Sequence, residues 1–304
     1  MGKRLSEKNP FLRDPETKKR LLVSAITSSQ RQEGIEISDA RAEEVYKIVF
    51  EEPRIAFLRL DRREWIEPVD VREEVFVRAL HDEDHAIRFD VPRRDFALLD
   101  ESPIAYDRIH HVAELLRGNA TLNSWAAVVG GLNSTRSEQF VRYRWEPALD
   151  SRRKWCTYAK GGAFSRFYAD LELVFDWTAD GNEFKRIVAE LYGSASRFVK
   201  SDEYYFKPGI TWTEKSMKGF SARILPSGAI FNVAGPCAFP KDESATYFLL
   251  GAMNSSAAAY ALRVYSTRSF GADSVRKLPV PHREGCLSDR IAKLASEIHR
   301  AKAQ

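Results

Sequence analysis

The chain has 304 residues, 44% of them hydrophobic and 30% charged, and carries a formal net charge of +4. That is the composition of a soluble globular protein long enough for a sizeable core and two domains. No apolar run approaches the ~20 residues that span a bilayer. The charged start M-G-K-R-L-S-E-K-N-P lacks the apolar stretch of a secretory signal. A cytoplasmic location without a membrane partner is therefore expected, and Gly2 with Ser6 fits the myristoylation pattern only weakly. Cys156, Cys237 and Cys286 are odd in number and widely spaced, which suggests neither a disulfide framework nor a zinc site.

Along the chain, residues 9–49 read as two helices. Pro15 sits at the start of T-K-K-R-L-L-V-S-A-I, Gly34 interrupts, and Ser38-Asp39 caps A-R-A-E-E-V-Y-K-I-V-F ahead of Pro53. Residues 54–100 alternate like strands in I-A-F-L-R-L and A-I-R-F-D-V, with the helical V-R-E-E-V-F-V-R-A-L between them. I-A-Y-D-R-I-H-H-V-A-E-L-L then has helical spacing and stops at Gly118. W-A-A-V-V-G-G-L is a short buried strand ending in a glycine turn, and W-C-T-Y-A-K-G-G is another. L-E-L-V-F-D-W is a strand, A-D-G-N a turn, and E-F-K-R-I-V-A-E-L-Y an amphipathic helix. F-S-A-R-I-L-P-S-G-A-I-F-N-V is a hairpin candidate turning at Pro226-Ser227-Gly228. One long helix is expected from near Ser244 through Tyr265. A last helix, capped by Ser288, puts Ile291, Leu294, Ala295 and Ile298 on one face.

Charge is unevenly spread. Residues 35–100 hold 11 Lys+Arg against 18 Asp+Glu, whereas residues 150–230 hold 13 against 10 and residues 276–304 hold 7 against 3. A polyanionic partner is allowed by this balance but not demanded.

Trp155–Pro240 mixes aromatics, cations, small hydroxyls and glycines, the groups that phosphate and base contacts use. Lys160-Gly161-Gly162 followed by Ser165 and Arg166 offers backbone N–H groups and cations in one short loop, suited to a phosphate or to an ordinary tight turn. Tyr204, Tyr205, Phe206 and Trp212 interleave with Lys200, Lys207, Thr211 and Thr213. Alternation would send one set into a core and the other towards DNA or solvent.

Catalytic signals are sparse. His110-His111 completes no metal or acid–base pattern, and H-D-E-D-H at 81–85 reads as a polar loop more readily than as a chelating helix. A metal enzyme built on that cluster is the least favoured reading. Asn9-Pro10-Phe11 is not the N-P-P-Y loop of an amino-methyltransferase, and no glycine loop for S-adenosylmethionine follows a strand. S-S-Q-R-Q-E-G at 28–34 is similar to the inhibitory-helix motif of Fic adenylyltransferases, whose catalytic H-P-F-x-x-G-N-G-R is absent; a chance helix end is the plainer explanation.

A series of ordered blocks runs through residues 101–285: S-P-I-A-Y (102–106), G-L-N-S-T (131–135), F-V-R-Y-R-W-E (140–146), W-C-T-Y-A-K-G-G-A-F-S-R-F-Y-A-D (155–170), D-E-Y-Y-F-K-P-G-I-T-W-T (202–213), G-F-S-A-R-I-L-P-S-G (219–228) and G-P-C-A-F-P-K-D (235–242), followed by L-L-G-A-M-N-S and K-L-P-V-P. Together these blocks resemble the target-recognition region of adenine-specific DNA methyltransferases of the BREX phage-defence and type IIG restriction–modification kinds. Asp107-Arg108 departs from the pattern, which has an aromatic after Tyr106.

The resemblance implies an α/β (α+β) fold, a mixed-sheet recognition domain with long C-terminal helices behind a small helical N-terminal segment. The expected layout is a helical segment over 1–50, an acidic mixed segment over 51–100 that is either a small β-α-β element or a remnant of a larger domain, the recognition domain over 101–285, and a C-terminal helix over 286–304. It implies sequence-specific recognition of double-stranded DNA by a fragment or stand-alone subunit. No cofactor is expected in this chain; S-adenosylmethionine would sit on a partner methylase. Lys160, Arg166, Arg197, Lys200, Lys207 and Arg223 are expected to meet phosphates or guanine edges, and Tyr204, Tyr205 and Trp212 to pack or stack. Gly161, Gly162, Ser165, Thr211 and Ser221 complete the candidate DNA-binding set. The alternative is a regulatory subunit that docks a methylase, a toxin or another defence-system protein.

Overall fold

The computed structural model describes residues 106–146 and 153–304 (apart from 284), together with 54–58, 69–82, 84–99 and a few positions between 16 and 43. The S-S-Q-R-Q-E-G stretch and most of S-P-I-A-Y lie outside the described residues. The chain forms two compact units, residues 1–110 and 111–304. Among the described residues, no helix is long and apolar enough to cross a membrane.

In the first unit, the Arg41 N–H donates to Ser38 Oγ at 3.2 Å, the cap expected there. Strand β1 (Arg54–Leu58) pairs antiparallel with β2 (Arg88–Pro92), and helix α1 (Val69–His81) lies between them in sequence. Phe57 stacks on Tyr106 with ring centroids 4.5 Å apart, and Phe89 tilts against the same ring. Of the H-D-E-D-H stretch, His81 ends helix α1 and Asp84 lies in a turn. Asp82 Oδ1 accepts from the Asp84 N–H, and His85 Nδ1 from the Ile87 N–H. Among the described residues no three metal-ligating side chains converge. His110 Nε2 sits 3.1 Å from Asp95.

Helix α2 (Ile109–Arg117) leads into the second unit, starting later than its hydrophobic spacing suggests because residues 106–108 form a turn. There follow β3 (Ala120–Thr121), the short helix α3 (Leu122–Trp125), β4 (Ala126–Val129), the helical turn α4 (Ser137–Phe140) and β5 (Val141–Tyr143). Next come β6 (Trp155–Ala159), β7 (Leu173–Asp176), α5 (Asn182–Tyr192), β8 (Gly209–Trp212), β9 (Ala222–Leu225), β10 (Ala229–Phe231) and β11 (Cys237–Pro240). The chain closes with α6 (Thr246–Met253), α7 (Ser256–Tyr265), α8 (Ala272–Val275), β12 (Pro279–Val280) and α9 (Gly285–Ala303).

Two four-stranded sheets result, ordered β10-β6-β7-β5 and β4-β11-β8-β9, with β12 pairing β3 separately. All pairings are antiparallel except β10 with β6. This is the mixed-sheet α/β fold expected from the sequence. Tyr158, Phe175, Leu225, Phe231 and Phe239 belong to one core cluster fed by both sheets.

Three local expectations are corrected. The stretch around Pro226-Ser227-Gly228 is not a hairpin: β9 pairs β8 in one sheet while β10 pairs β6 in the other, so the turn carries the chain between sheets. Phe206 fills the gap, its N–H donating to the Ala229 carbonyl and its carbonyl accepting from the Gly228 N–H.

The long helix after Ser244 is two helices, α6 and α7. Asn254 breaks it by turning its side chain onto β9, accepting from the Ala222 N–H and donating to the Ala222 carbonyl. Ser255 then caps α7 through the Ala258 N–H.

In α9, the buried positions are Ser288 and Ala295, whereas Leu294 and Ile298 are exposed. The reason is Gly251 on α6: a Cβ there would lie 2.6 Å from Ile291, so α9 rotates its Ile291–Ala295 face into this close helix crossing.

Candidate nucleic-acid interface

The loop leaving β6 is the most constrained part of the surface. Gly161 and Gly162 adopt φ of +85° and +129°, conformations that side chains resist. Space is short as well. A Cβ on Gly161 would meet the Ala234 carbonyl at 2.8 Å, and one on Gly235 would meet the Ala159 carbonyl and the Gly161 nitrogen, both at 2.7 Å.

Arg223 on β9 stitches this loop down. Its Nη2 donates to the Gly161 carbonyl at 2.8 Å and to Thr213 Oγ1 at 3.1 Å, and its Nη1 to the Ala163 carbonyl at 3.2 Å. Thr213 Oγ1 in turn donates to the Gly162 carbonyl. Further along, the Phe167 N–H donates to the Ala222 carbonyl, and the Ile224 N–H donates to the Phe167 carbonyl. Phe167 holds a φ of +72°, a position that a bulky residue keeps only when such bonds fix it.

The loop borders a cavity of about 400 Å³. Tyr158, Lys160, Gly161, Gly162, Ser165 and Arg223 line it together with Asp170 and Glu172. Donors and acceptors therefore face the same space. Ser165 Oγ is already committed to the Tyr168 carbonyl, and the Tyr168 hydroxyl to Asp170 Oδ1 at 2.9 Å. That hydrogen bond, ahead of burial and the Asp170 charge, raises the phenol's pKa. At the rim, Arg166 lies over the exposed Phe164 ring at 5.6 Å, and Lys302 from α9 donates to the Arg166 carbonyl at 3.1 Å.

The sequence-expected residues thus divide. Lys160, Gly161, Gly162, Ser165 and Arg223 meet at the cavity, with Arg166 on the same loop. Tyr204 and Lys207 lie at a separate groove of about 540 Å³ beside Phe239, Lys241 and Tyr247. There Tyr204 stacks on Phe239, and Lys207 Nζ sits 5.3 Å from the Tyr204 ring. Arg197 and Lys200 are exposed near a third segment, where the Asn133 N–H donates to the Phe198 carbonyl and Ser201 Oγ to the Gly130 carbonyl.

Five expected contacts are interior. Thr211 and Trp212 are fully enclosed, with Thr211 Oγ1 donating to the Pro236 carbonyl and Trp212 Nε1 to the Phe270 carbonyl. Ser221 is buried, and Tyr205 packs edge-on against Trp177 and Phe231. Arg223 is 1% exposed. These five side chains support the surface from below instead of facing a ligand in solvent; the Arg223 guanidinium alone reaches the cavity wall.

Over 223 residues, 69% of this chain, the sequence is 32% identical to the adenine-specific methyltransferase BrxX of Escherichia coli O9:H4 (strain HS), covering 17% of that protein. Over 224 residues, again 69% of this chain, it is 24% identical to the adenine-specific methyltransferase PglX of Lacticaseibacillus casei (strain Zhang), covering 19% of it. Both proteins are homologues of this chain. The chain spans less than a fifth of the length of these curated relatives. No family model matches it.

Candidates absent from the sequence-derived set stand at the edge of this surface. Strand β5 ends its sheet, and its last residue Tyr143 and the turn residues Arg144 and Trp145 are all exposed. The Arg144 N–H donates to the carbonyl of Glu172, which lines the cavity. The charge of Arg144 is felt at Tyr168, where it lowers the phenol's pKa against the larger raising effects. The signal was the alternation in V-R-Y-R-W-E, which the spacing of the glycine loop overshadowed.

Proposed function

We propose that residues 111–304 recognise double-stranded DNA for an adenine-methylating phage-defence system of the BREX kind. The glycine loop and the turn after β5 would form the contact surface. The observation that carries this reading is the meeting, around one cavity, of Lys160 and the glycine loop with two carboxylates, Asp170 and Glu172, while Arg166 follows on the same loop and Arg144 is tied to Glu172.

Cations and amides position phosphates, whereas base edges in the major groove need both donors and acceptors. Guanine accepts hydrogen bonds from Lys or Arg, and the cytosine N4 amino group donates one to Asp or Glu. A purely phosphate-binding loop has no use for Asp170 and Glu172; a base-reading cavity does. The similarity to BrxX and PglX supports the same assignment. Methyl transfer, with its S-adenosylmethionine and N-P-P-Y loop, is assigned to sequence other than these residues.

The test is binding of the purified chain to a library of random duplexes at low salt, followed by recovery and sequencing of the bound fraction. Enrichment of one short site supports the reading. A folded chain that retains no duplex sinks it. Binding without enrichment removes the base-reading role and leaves only a phosphate-binding surface.

A further inference from the structure

The exposed pair Tyr143–Trp145 has no structural task that explains it. Trp145 is 61% exposed and Tyr143 46% exposed, yet their rings stack with centroids 4.7 Å apart and planes 12° from parallel. Exposed aromatic surface of this size marks a contact site more often than an isolated apolar side chain does.

The pair is also rigidly held. The Glu146 N–H donates to the Tyr143 carbonyl at 2.9 Å, closing a tight turn. The Glu146 carboxylate folds back to accept from the Tyr143 N–H at 2.7 Å. The Arg144 N–H ties the turn to β7 through Glu172. An aromatic face fixed in advance loses little conformational freedom on binding. Glu146 turns one carboxylate oxygen back onto the Tyr143 N–H, and the exposed Arg144 beside it carries a positive charge that acts as far as Tyr168.

We infer that Trp145 is a stacking platform for a nucleobase drawn out of a DNA duplex, with Tyr143 backing its inner face and Arg144 meeting the adjoining phosphate. The inference rests on the DNA-recognition reading and adds to it that the chain unstacks a base as well as reading base edges. Every base has a π-face, so such a platform is tolerant of sequence. One face of Trp145 is occupied by Tyr143, so the base would use the other.

The test uses two otherwise identical duplexes, one fully paired and one with a single bulged fluorescent adenine analogue, against the full chain. The wild type is expected to bind the bulged duplex more tightly and to quench the analogue. Trp145→Ala should abolish the quench and weaken binding to the bulged duplex by roughly 5- to 150-fold. Trp145→Phe should retain most of both, and an unchanged circular dichroism spectrum would show that both variants fold. Equal binding and equal quenching by wild type and Trp145→Ala overturns the inference and leaves the DNA reading standing. A folded wild type that binds neither duplex overturns both.

Discussion

The guanidinium of Arg223 donates to the carbonyl of Gly161 at 2.8 Å, across 62 residues of chain. This contact fixes the shape of the glycine loop from beneath. Burial pulls the Arg223 pKa downward, and its Nε finds no partner among the described residues. A cation in that setting is kept for geometry, because a buried charge costs stability unless its donors are used. Arg223→Ala would leave the Gly161 and Ala163 carbonyls without this donor. A loss of about 2–3 kcal/mol in urea unfolding is expected. Lysine should not rescue it, since a single ammonium cannot span the same fork of acceptors.

Gly235 tests the loop from the opposite side. Alanine there would place its Cβ 2.7 Å from both the Ala159 carbonyl and the Gly161 nitrogen, and backbone atoms cannot swing aside. We expect Gly235→Ala to cost about 3 kcal/mol and to weaken DNA binding together with stability. Gly118→Ala, where a Cβ meets nothing within 4 Å, is the control and should leave binding unchanged.

Lys160, Arg166 and Arg144 make a claim about salt. If each meets a phosphate, its replacement by alanine weakens binding to all duplexes alike. The slope of log K against log salt should fall by about 1 for each residue replaced. Isothermal titration at several salt concentrations reads this directly. An unchanged slope in all three variants would move the interface elsewhere.

Two buried tyrosines should respond oppositely to loss of the hydroxyl. The Tyr158 hydroxyl accepts from Asn232 Nδ2, whereas the Tyr205 hydroxyl has no partner among the described residues. Tyr158→Phe is expected to cost about 1 kcal/mol, and Tyr205→Phe to be neutral or stabilising by up to about 1 kcal/mol. Burial is the first cause raising both phenols above their ordinary value of 10.0. The folded state therefore keeps protons that the unfolded state releases. The stability this confers is full below about pH 10 and is lost as the pH climbs beyond it. The double Phe variant should show a shallower alkaline loss of stability in melts from pH 9 to pH 11.

The cysteines give a check on the core. Cys156 and Cys237 are buried and Cys286 is exposed. Burial raises the pKa of both interior thiols, which suppresses the reactive thiolate. A thiol reagent should label one cysteine in the native chain and all three in urea. Rapid native labelling of Cys237 would contradict the placement of β11 in the core.

Much of this protein is legible without coordinates. Alternation and apolar runs mark β1, β2, β4, β6, β7 and β9, and amphipathic spacing marks α5, because backbone conformation follows local chemistry. The glycine pair at 161–162 and its neighbouring cations are local too, so their proximity survives folding. The similarity of the chain to adenine-specific methyltransferases is likewise a property of the sequence.

Which side of each element faces inward, and which strands pair, is settled by contacts between distant parts of the chain. Thr211, Trp212, Ser221 and Arg223 share the residue types of a DNA-binding surface. They are interior because β8 and β9 lie in a sheet whose neighbours cover both of their faces. The strands flanking Pro226-Ser227-Gly228 look like one hairpin, yet β10 takes β6 as its partner, a choice made by residues some 70 positions away in sequence. Asn254 breaks a helix for a bond to Ala222, 32 residues earlier. Tyr143 and Trp145 acquire their meaning only when β5 becomes the edge of its sheet. Local sequence sets what each segment can be, and long-range burial and hydrogen bonding set which of its faces is left for a ligand.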